Sequence, residues 1–483
     1  MPRPLHIHPV PRCVAIIGAG PAGITAAYQL AKAGIATKVY EASNHIGGFA
    51  QTIELWGQKV DLGPHRFFSS DPRVNSLWLE VAKQDYRMVS RLTRIYFDRN
   101  FFHYPLKPVN ALWNLGPWEA QKCLLSYLKE IGSRSTSQDT FENWVVQRFG
   151  RRLFEIFFKS YSEKLWGITC SELDSDFAAQ RIKKLSLAEA IKNAFGKSKA
   201  QHKTLVDEFA YPLGGTGSIY ERMAAEVVRR GGEIHLNQPV KGILSSNFIV
   251  KGIELQSGEK IECDHVISSM PLTVMVKTLS KAPTEVLLAA KQLRYRNTTL
   301  VYLLIDSDNL FKDNWLYVHS PQLKVGRITN FRNWIPELYG TSPHTILCLE
   351  FWSNDEDPIW QEKDTALIER AKFELAKTGL IGNAQILDGA VKKLAKCYPI
   401  YARGYQKSLA TLIDFLKKFS HLQAIGRYGS FKYNNQDHSL LMGILASENL
   451  TSARQHDLWS INTDYEYQES ARITETGLVK EAS

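Results

Sequence analysis

The amino-acid sequence predicts a protein of the α/β class, and three observations support this prediction. The chain opens with a short apolar run, a glycine-rich turn and a helical pattern. A long aromatic segment follows that has the 3.6-residue periodicity of helices. A later segment contains several runs of β-forming residues, each bounded by turn residues. The length of 483 residues leaves room for all three parts.

The turn after the first strand has the pattern of a dinucleotide-binding site. Residues 13–17 form the apolar run, and Gly18, Gly20 and Gly23 give the spacing G-x-G-x-x-G before a helix expected over residues 24–33. Glycines at this spacing let the backbone approach a pyrophosphate at the positively polarised N-terminus of the helix. The order of strand, turn and helix therefore predicts a Rossmann-type domain.

The residues after the second strand indicate which dinucleotide is bound. The strand expected at residues 37–40 ends in Glu41, where a carboxylate can accept a hydrogen bond from a ribose hydroxyl. NAD and FAD share this fingerprint. The pair Gly47 and Gly48 resembles the segment of two-dinucleotide-binding flavoproteins in which the chain passes close to the FAD pyrophosphate. Because no second G-x-G-x-x-G follows a strand, we expect FAD without a separate NAD(P)H domain.

The rest of the chain is expected to interrupt this domain and then complete it. Aromatic residues recur at helical spacing up to about residue 206, and a helix at 219–230 follows the glycine-rich segment 211–218. The runs of β-forming residues are 298–305, 315–319 and 346–352. The expected parts are an FAD-binding domain made of residues 12–72, 207–290 and 385–460, a mainly helical insertion of residues 73–206, an antiparallel sheet for the substrate at residues 291–384, and a C-terminal tail of residues 461–483.

Charge and cysteine content bound the possible functions. The formal net charge of +10 suits an anionic small-molecule substrate, but the basic residues lack the spacing of a nucleic-acid-binding module. The six cysteines form no C-x-x-C pair and no metal-ligand pattern, so we expect reduced thiols and no metal. No signal-peptide pattern and no long apolar run occur, so we expect a cytoplasmic protein without a transmembrane segment. A homodimer is left open.

Four further motifs are spread along the chain. They are Asp61-Leu-Gly-Pro-His-Arg-Phe-Phe68, Tyr161-Ser-Glu-Lys-Leu-Trp166-Gly, Gly326-Arg-Ile-Thr329 and Gly426-Arg-Tyr-Gly-Ser-Phe-Lys-Tyr-Asn-Asn-Gln-Asp437. In order, spacing and residue type they resemble motifs of the UDP-galactopyranose mutase branch of the FAD-dependent amine oxidase and protoporphyrinogen oxidase superfamily. The resemblance extends from residue 14 to about residue 449. It implies the same two-dinucleotide-binding fold and the same cofactor, FAD.

The resemblance also implies which residues form the site. It gives catalytic roles to Arg327, Tyr433, Arg427 and His65. The residues that it places at FAD, together with those of the glycine-rich turn, are Gly18, Gly20, Gly23, Glu41, Gly47, Gly48, Gly63, His65, Val240, Gly426, Arg427, Asn435, Asp437 and His438. The residues that it places at the substrate are Tyr161, Trp166, Arg327, Tyr433 and Tyr398.

The activity implied is the redox-neutral conversion of a nucleotide- or diphosphate-linked sugar between its pyranose and furanose forms, through N5 of reduced FAD. Arg327, Tyr433 and Arg427 would stabilise the charge that grows on the departing diphosphate. Asp437 is a good N-cap for a helix expected over residues 438–449, and the positive end of that helix would stabilise an anionic reduced flavin.

The sequence departs from the mutase pattern and keeps an alternative open. Leu185 stands where mutases have a second arginine for the diphosphate, and Lys183, Lys184 or Lys324 could supply a charge without the bidentate fork of an arginine. The segment 211–217 resembles protoporphyrinogen oxidases and phytoene desaturases more than mutases. The alternative is therefore an FAD-dependent oxidoreductase that oxidises an amine, a polyene or a cyclic substrate.

A third possibility belongs to a different class. The prenyl-GTPase dissociation inhibitors share this fold and bind no flavin. The complete set of glycines in the first 48 residues argues against such a non-enzymatic function.

Overall fold

A parallel five-stranded sheet lies at the centre of the first part of the fold. The computed structural model describes residues 10–104, 106, 108–132, 139–176, 208–279, 281–462, 471–474 and 477–480. The strands of the parallel sheet, in spatial order, are Leu422–Ala424, His265–Ser268, Cys13–Ile17, Ala36–Tyr40 and Glu233–His235. They come from three separate stretches of chain, so the sheet is discontinuous in sequence. The predicted α/β class is confirmed.

Three helices pack together beside this sheet. The helix Pro21–Lys32 starts directly after the glycine-rich turn, and it packs against Gly217–Arg229 and Gln436–Thr451. Proline is favourable at its first position because the first N–H groups of a helix have no partner within the helix. Gly443 allows the close approach of two of these helices, since a Cβ atom there would lie 2.7 Å from the carbonyl oxygen of Ala22.

A second sheet has seven strands and carries the other wall of the site. In spatial order its strands are Ile386–Pro399, Tyr295–Ile305, Thr345–Ser353, Arg327–Asn330, Trp315–Val318, Thr93–Phe97 and Asn100–His103. Neighbouring strands are antiparallel except for Trp315–Val318 and Thr93–Phe97, which run parallel to each other. The sheet is thus the predicted antiparallel sheet with one parallel pair added.

Strand pairing differs from the predicted boundaries in two places. The sequence predicts residues 93–103 within the helical insertion, but they form a hairpin at the edge of the seven-stranded sheet. It also predicts Ile386–Pro399 within the FAD-binding segments, but this strand pairs along Tyr295–Ile305. A local pattern identifies a strand, whereas its partner depends on contacts that are distant in sequence.

Helices form most of the described chain between residues 108 and 166. They are Pro108–Leu115, Pro117–Gly132, Phe141–Phe149, Arg151–Leu153, a π-helical turn at Phe154–Lys159, and Ser160–Trp166. The helix from Phe141 is capped by Thr140, whose side chain accepts a hydrogen bond from the N–H of Asn143. Leu185 and the lysines at 183 and 184 lie outside the described residues, so the predicted replacement of an arginine there stays untested.

Smaller elements complete the fold. A three-stranded antiparallel sheet consists of Val240–Ser246, Ile249–Leu255 and Lys260–Glu262. The remaining strands pair two by two: Thr52–Leu55 with Gln58–Asp61, Tyr86–Ser90 with Glu208–Pro212, and Ala471–Thr474 with Gly477–Lys480. The remaining α-helices are Pro72–Ala82, Leu272–Thr278, Thr284–Gln292, Pro358–Gln361, Asp364–Thr378, Tyr405–Leu416 and Gly426–Gly429. Among the helices of the described ranges, none is both long enough and apolar enough to cross a membrane.

Candidate active site

A cavity opens between the glycine-rich turn and the seven-stranded sheet. Gly20 and Gly48 line it on the side of the parallel sheet, and Tyr317 and Arg327 line it on the side of the second sheet. Residues at the start of the helix Gln436–Thr451 also line it. Three of the four sequence motifs contribute lining residues, so the fold brings together segments that are hundreds of residues apart.

The glycine-rich turn is packed too closely to accept side chains. A Cβ atom on Gly23 would lie 2.0 Å from the carbonyl oxygen of Gly18, and Gly18 has a φ of +98° that favours glycine. A Cβ atom on Gly48, where φ is +55°, would lie 3.1 Å from the Cα of Gly20. The backbone is therefore bare on the cavity side, which is what close contact with a dinucleotide pyrophosphate requires. The residues present fit FAD.

Glu41 stands at the end of the second strand and stabilises the turn. Its Oε2 atom accepts a hydrogen bond of 2.8 Å from the N–H of Ala19. Its Oε1 atom accepts hydrogen bonds from the N–H and the hydroxyl of Ser43. Gly47 is tied to the same place, because its N–H donates to the carbonyl oxygen of Ala19 at 2.8 Å. A carboxylate has further lone pairs, so contact of Glu41 with a ribose hydroxyl stays a prediction.

The helix Gln436–Thr451 begins two residues earlier than the sequence predicts. Its N-cap is Asn435 and not Asp437, because Asn435 and His438 form a capping box in which the Nδ1 of His438 accepts from the N–H of Asn435 at 3.2 Å. Asp437 lies in the first turn, where a carboxylate is favourable beside the positive helix end. Asn435 and Gln436 both line the cavity, so this helix end faces it.

His65 lines the cavity as a neutral imidazole. Burial lowers its pKa to about 3, and the positive charges of Arg327 and Arg427 act in the same direction. Its Nδ1 atom has no hydrogen-bond partner among the described residues. The backbone at this position is fixed, since the carbonyl oxygen of His65 accepts from the hydroxyl of Thr216 at 2.9 Å. His65 is therefore uncharged at neutral pH and adds no positive charge to the cavity.

Arg327 forms a bidentate ion pair with Glu350, a residue for which the sequence predicts no role. The Nε and Nη2 atoms of Arg327 each donate to a carboxylate oxygen of Glu350 at 2.6 Å. The two residues face each other on adjacent strands, and the side chain of Glu350 is only 1% exposed. Gly63 lies beside the pair, where a Cβ atom would be in ordinary van der Waals contact with Oε1 of Glu350, at 3.5 Å. A single acid in the apolar run 346–352 was the available signal.

Arg427 links the loop before the last helix to the seven-stranded sheet. Its Nε donates to the carbonyl oxygen of Cys397 at 2.7 Å, and its Nη1 donates to the carbonyl oxygen of Asn434 at 3.2 Å. Its guanidinium lies 4.7 Å from the ring of Tyr398 and 4.4 Å from the ring of Tyr433. Those two rings are stacked on each other at 5.4 Å. Arg427 therefore orients both tyrosines.

Two residues predicted to contact the substrate lie outside the cavity lining. Trp166 is fully buried and packs against Tyr398 and Tyr433, so it supports the tyrosines from behind. Tyr161 stacks on the ring of His319 and meets the edge of Tyr317, which does line the cavity. The resemblance of their motif predicted that both residues contact the substrate, but a motif does not show which side chains of a packed cluster face the cavity.

The predicted residues divide clearly by position. Arg327, Tyr433, Arg427, His65 and Tyr398 line the cavity, as do Gly20, Gly48, Gly426 and Asn435. The predicted FAD residues that are not among the lining residues are Gly18, Gly23, Glu41, Gly47, Gly63, Val240, Asp437 and His438. Val240 begins a strand of the separate three-stranded sheet. Within the described ranges, no group of three or more acidic, His or Cys side chains is arranged to hold a metal ion.

Several lining residues were not predicted. Arg66 follows His65 in the first motif, and its guanidinium lies 4.5 Å from the ring centre of Phe68 and 5.9 Å from that of Trp315. Trp315 and Tyr104 also line the cavity. Arg66 belongs to the motif of residues 61–68. Trp315 and Tyr104 are aromatic, but nothing else in the sequence near them indicates that they line a cavity.

Fold and site together define a dinucleotide-binding flavoprotein. Residues 21–399 match the family model of the flavin containing amine oxidoreductases. Because this match spans most of the chain, the protein belongs to that family, and it is an FAD-dependent enzyme. The families of mutases, desaturases and oxidases that share this fold differ in substrate, so the site itself must indicate the reaction.

Individual relatives fall into two functional groups. Over 170 residues the chain is 31% identical to a protein of Klebsiella pneumoniae described as a probable UDP-galactopyranose mutase, covering 33% of this chain and 42% of that one. Over 336 residues it is 24% identical to a 4,4′-diapophytoene desaturase of a Methylomonas species, covering 61% of each. The matches thus span about two fifths to three fifths of these curated relatives.

Solved structures show the same division. A crystal structure of reduced UDP-galactopyranose mutase has a TM-score of 0.80 at 21% identity, covering 91% of this chain and 95% of that chain. A redesigned putrescine oxidase has a TM-score of 0.62 at 16% identity, covering 91% and 98%. At these identities the likeness establishes the fold alone.

Proposed function

We propose that this enzyme converts a sugar linked to a nucleoside diphosphate between its pyranose and furanose forms, with no net oxidation. The observation that carries the proposal is the charge of the cavity. Arg66, Arg327 and Arg427 line it, and none of the described Asp or Glu residues does. Glu350 balances the charge of Arg327 from outside the lining, so the lining keeps a net positive charge from Arg66 and Arg427. This charge suits a substrate that brings two or more negative charges. The 31% identity over 170 residues to a probable UDP-galactopyranose mutase supports the same reaction.

The same charges disfavour the substrates of the other relatives. The amine substrate of a putrescine oxidase would bring a further positive charge to a lining that is already net positive. The polyene substrate of a desaturase would exclude water from the guanidinium groups and offer them no hydrogen-bond acceptor, which is unfavourable. An anionic substrate satisfies those donors.

Arg327 is the residue best placed to stabilise a leaving diphosphate. Two of its five N–H donors are taken by Glu350, and three are left for the cavity. The bidentate contact fixes the plane of the guanidinium before any ligand binds. Donors held in place in this way stabilise charge that develops as the bond between sugar and diphosphate breaks, because they need no rearrangement.

The tyrosines act as donors of hydrogen bonds. Burial raises the pKa of Tyr398 above its usual value, so its phenol stays protonated at neutral pH. Arg427 contacts the stacked rings of Tyr398 and Tyr433 and adds positive charge beside them. His65 adds a neutral ring that can bond without repelling the arginines.

The residues that would hold FAD are those at the bare turn and at the end of the last helix. Gly20 and Gly48 expose backbone to the pyrophosphate, and Asn435 caps the helix whose positive end faces the cavity. Bound FAD in its reduced form supplies a nucleophilic ring nitrogen for substitution at carbon.

An anaerobic assay tests the proposal. The FAD-loaded protein is reduced with dithionite and mixed with UDP-galactose and a panel of other UDP-sugars, and the products are separated by chromatography. We expect a furanose product over many turnovers with no electron acceptor consumed, and no product from the oxidised protein. Turnover only with oxidised protein and stoichiometric use of an acceptor would assign an oxidoreductase instead.

A pair of variants links the activity to the site. Arg327→Lys keeps the charge but lacks the planar fork, so we expect turnover to fall about tenfold to a hundredfold while FAD stays bound. Arg454→Gln removes an exposed arginine outside the cavity and serves as the matched control. Equal activity of both variants would contradict the role given to Arg327.

A further inference from the structure

Arg66 differs from the other arginines of the cavity in its partners. Arg327 gives two donors to the carboxylate of Glu350, and Arg427 gives two donors to backbone carbonyl oxygens. The guanidinium of Arg66 contacts only aromatic rings among the described residues, at 4.5 Å from Phe68 and 5.9 Å from Trp315. Its five N–H donors are therefore not committed to any described carboxylate or carbonyl group.

The backbone at Arg66 is nevertheless held firmly. Its carbonyl oxygen accepts a hydrogen bond from Nε2 of Gln436 at 3.3 Å, and Oε1 of Gln436 accepts from the hydroxyl of Tyr220 at 2.6 Å. Stacking on Phe68 restricts the side chain as well. A cation that is positioned in advance loses little entropy when it binds an anion, so its donors are well suited to recognition.

The sheet register relates Trp315, whose ring Arg66 contacts, to the strand position of Arg327. Trp315 pairs with Thr329, and Tyr317 pairs with Arg327, so the two aromatic residues lie on the same face of the sheet, two positions apart along their strand. Residues two positions apart along a strand are about 7 Å apart. Arg66 contacts the ring of Trp315 and lines the same cavity as Arg327, and its guanidinium shares none of the hydrogen-bond partners of Arg327.

We propose that Arg66 binds an oxyanion of the substrate. The inference rests on the proposed function, because it takes the substrate to be a sugar diphosphate. Two oxyanions fit this chemistry: a phosphoryl group of the diphosphate, or a carboxylate on the sugar. Both would accept paired hydrogen bonds from a planar guanidinium.

Ligand titrations of the FAD-loaded protein test this assignment. UDP, UDP-galactose, UDP-glucuronate and inorganic pyrophosphate are titrated separately, and binding is followed by the change in flavin absorbance and by equilibrium dialysis. The proteins compared are the wild type, Arg66→Gln, Arg66→Lys and the control Arg454→Gln. FAD content and thermal unfolding show that each variant is folded, which we expect because Arg66 makes no described hydrogen bond through its side chain.

The two sources of the oxyanion give different patterns. If Arg66 binds the diphosphate, Arg66→Gln raises the dissociation constants of UDP and UDP-galactose alike, by about tenfold to a hundredfold. If Arg66 binds a sugar carboxylate, only UDP-glucuronate is weakened to that extent. Arg66→Lys should fall between the wild type and Arg66→Gln, because it keeps the charge without the fork.

Failure of the inference is distinguishable from failure of the proposed function. Dissociation constants of Arg66→Gln within twofold of the control for every ligand would overturn the role of Arg66, while nucleotide binding by the wild type would leave the proposed function standing. Binding of pyrophosphate that depends on Arg66, without any binding of UDP or UDP-sugars, would instead uphold the oxyanion site and overturn the nucleotide-sugar function. A wild type that binds none of the four ligands would overturn both.

Discussion

Arg327 and Glu350 form a buried bidentate ion pair across two adjacent strands, at the point where the seven-stranded sheet meets the cavity. The carboxylate is almost inaccessible, whereas the arginine is 15% exposed and lines the cavity. The two residues therefore differ in what their loss would cause. Loss of the arginine leaves a buried carboxylate without a partner, whereas loss of the acid leaves a cation that water in the cavity can solvate.

This asymmetry predicts the effect of substitutions at the pair. Arg327→Ala should lower the free energy of unfolding by about 3–5 kcal/mol, because the Glu350 carboxylate keeps no partner, and it should abolish turnover. The double variant Arg327→Met/Glu350→Leu should recover most of the stability and none of the activity. Denaturant unfolding and the anaerobic assay measure the two properties. Recovery of activity in the double variant would contradict the role of Arg327.

The packing of the glycine-rich turn predicts a loss of FAD on substitution. Gly23→Ala would place its Cβ atom 2.0 Å from a backbone oxygen, so the turn must open. We expect FAD affinity to fall about tenfold or more, measured by the flavin retained after gel filtration. Gly242→Ala is the matched control, because its Cβ atom would meet nothing closer than 3.6 Å. Equal FAD retention by both variants would show that the turn tolerates a side chain.

The capping box at the last helix predicts an order of stabilities. Asn435→Ala removes the N-cap and should lower the free energy of unfolding by about 1 kcal/mol. Asp437→Ala removes a first-turn charge and a 3.2 Å contact with Nδ1 of His438, and it should cost about 0.5 kcal/mol. Thermal unfolding at saturating FAD compares them. A greater loss from Asp437→Ala would restore Asp437 as the cap.

We expect His319 to account for part of the loss of folding stability at low pH. Burial lowers its pKa to about 3, and the charge of Lys164 contributes, so the unfolded chain binds a proton near pH 6.5 that the folded chain does not. Stability from this group is therefore complete above pH 6.5 and declines as the pH falls, by about 2 kcal/mol at pH 5.

Denaturant unfolding at pH 7.5 and pH 5 measures this effect. His319→Gln should show a smaller loss of stability on acidification than the wild type. His45→Gln removes an exposed histidine and serves as the control. An unchanged pH dependence in His319→Gln would mean that other groups account for the acid sensitivity.

Local sequence determined the parts of the site that depend on backbone conformation. The spacing of Gly18, Gly20 and Gly23 after a strand predicted the bare turn, and Glu41 was placed correctly at the end of the second strand. These features follow from φ angles and from contacts between residues close in sequence. They are therefore visible without knowledge of the tertiary structure.

Other features of the site required long-range pairing. The register between Arg327–Asn330 and Thr345–Ser353 places Arg327 opposite Glu350. The arginine that the sequence predicts to contact the diphosphate is therefore already paired with a carboxylate of the protein. Packing decided that Trp166 supports Tyr398 and Tyr433 from behind. Periodicity indicates that a side chain is buried, but it does not indicate against which neighbour.

The sequence by itself determined the α/β class, the dinucleotide-binding turn and the choice of FAD, because each depends on glycines and apolar runs that act locally. Only the tertiary structure decided the membership of the seven-stranded sheet, the cap at Asn435 and the availability of Arg66. Each of these depends on which distant groups come within hydrogen-bonding or van der Waals contact. The charge of the cavity, on which the proposed function rests, is a property of that assembly and not of any one segment.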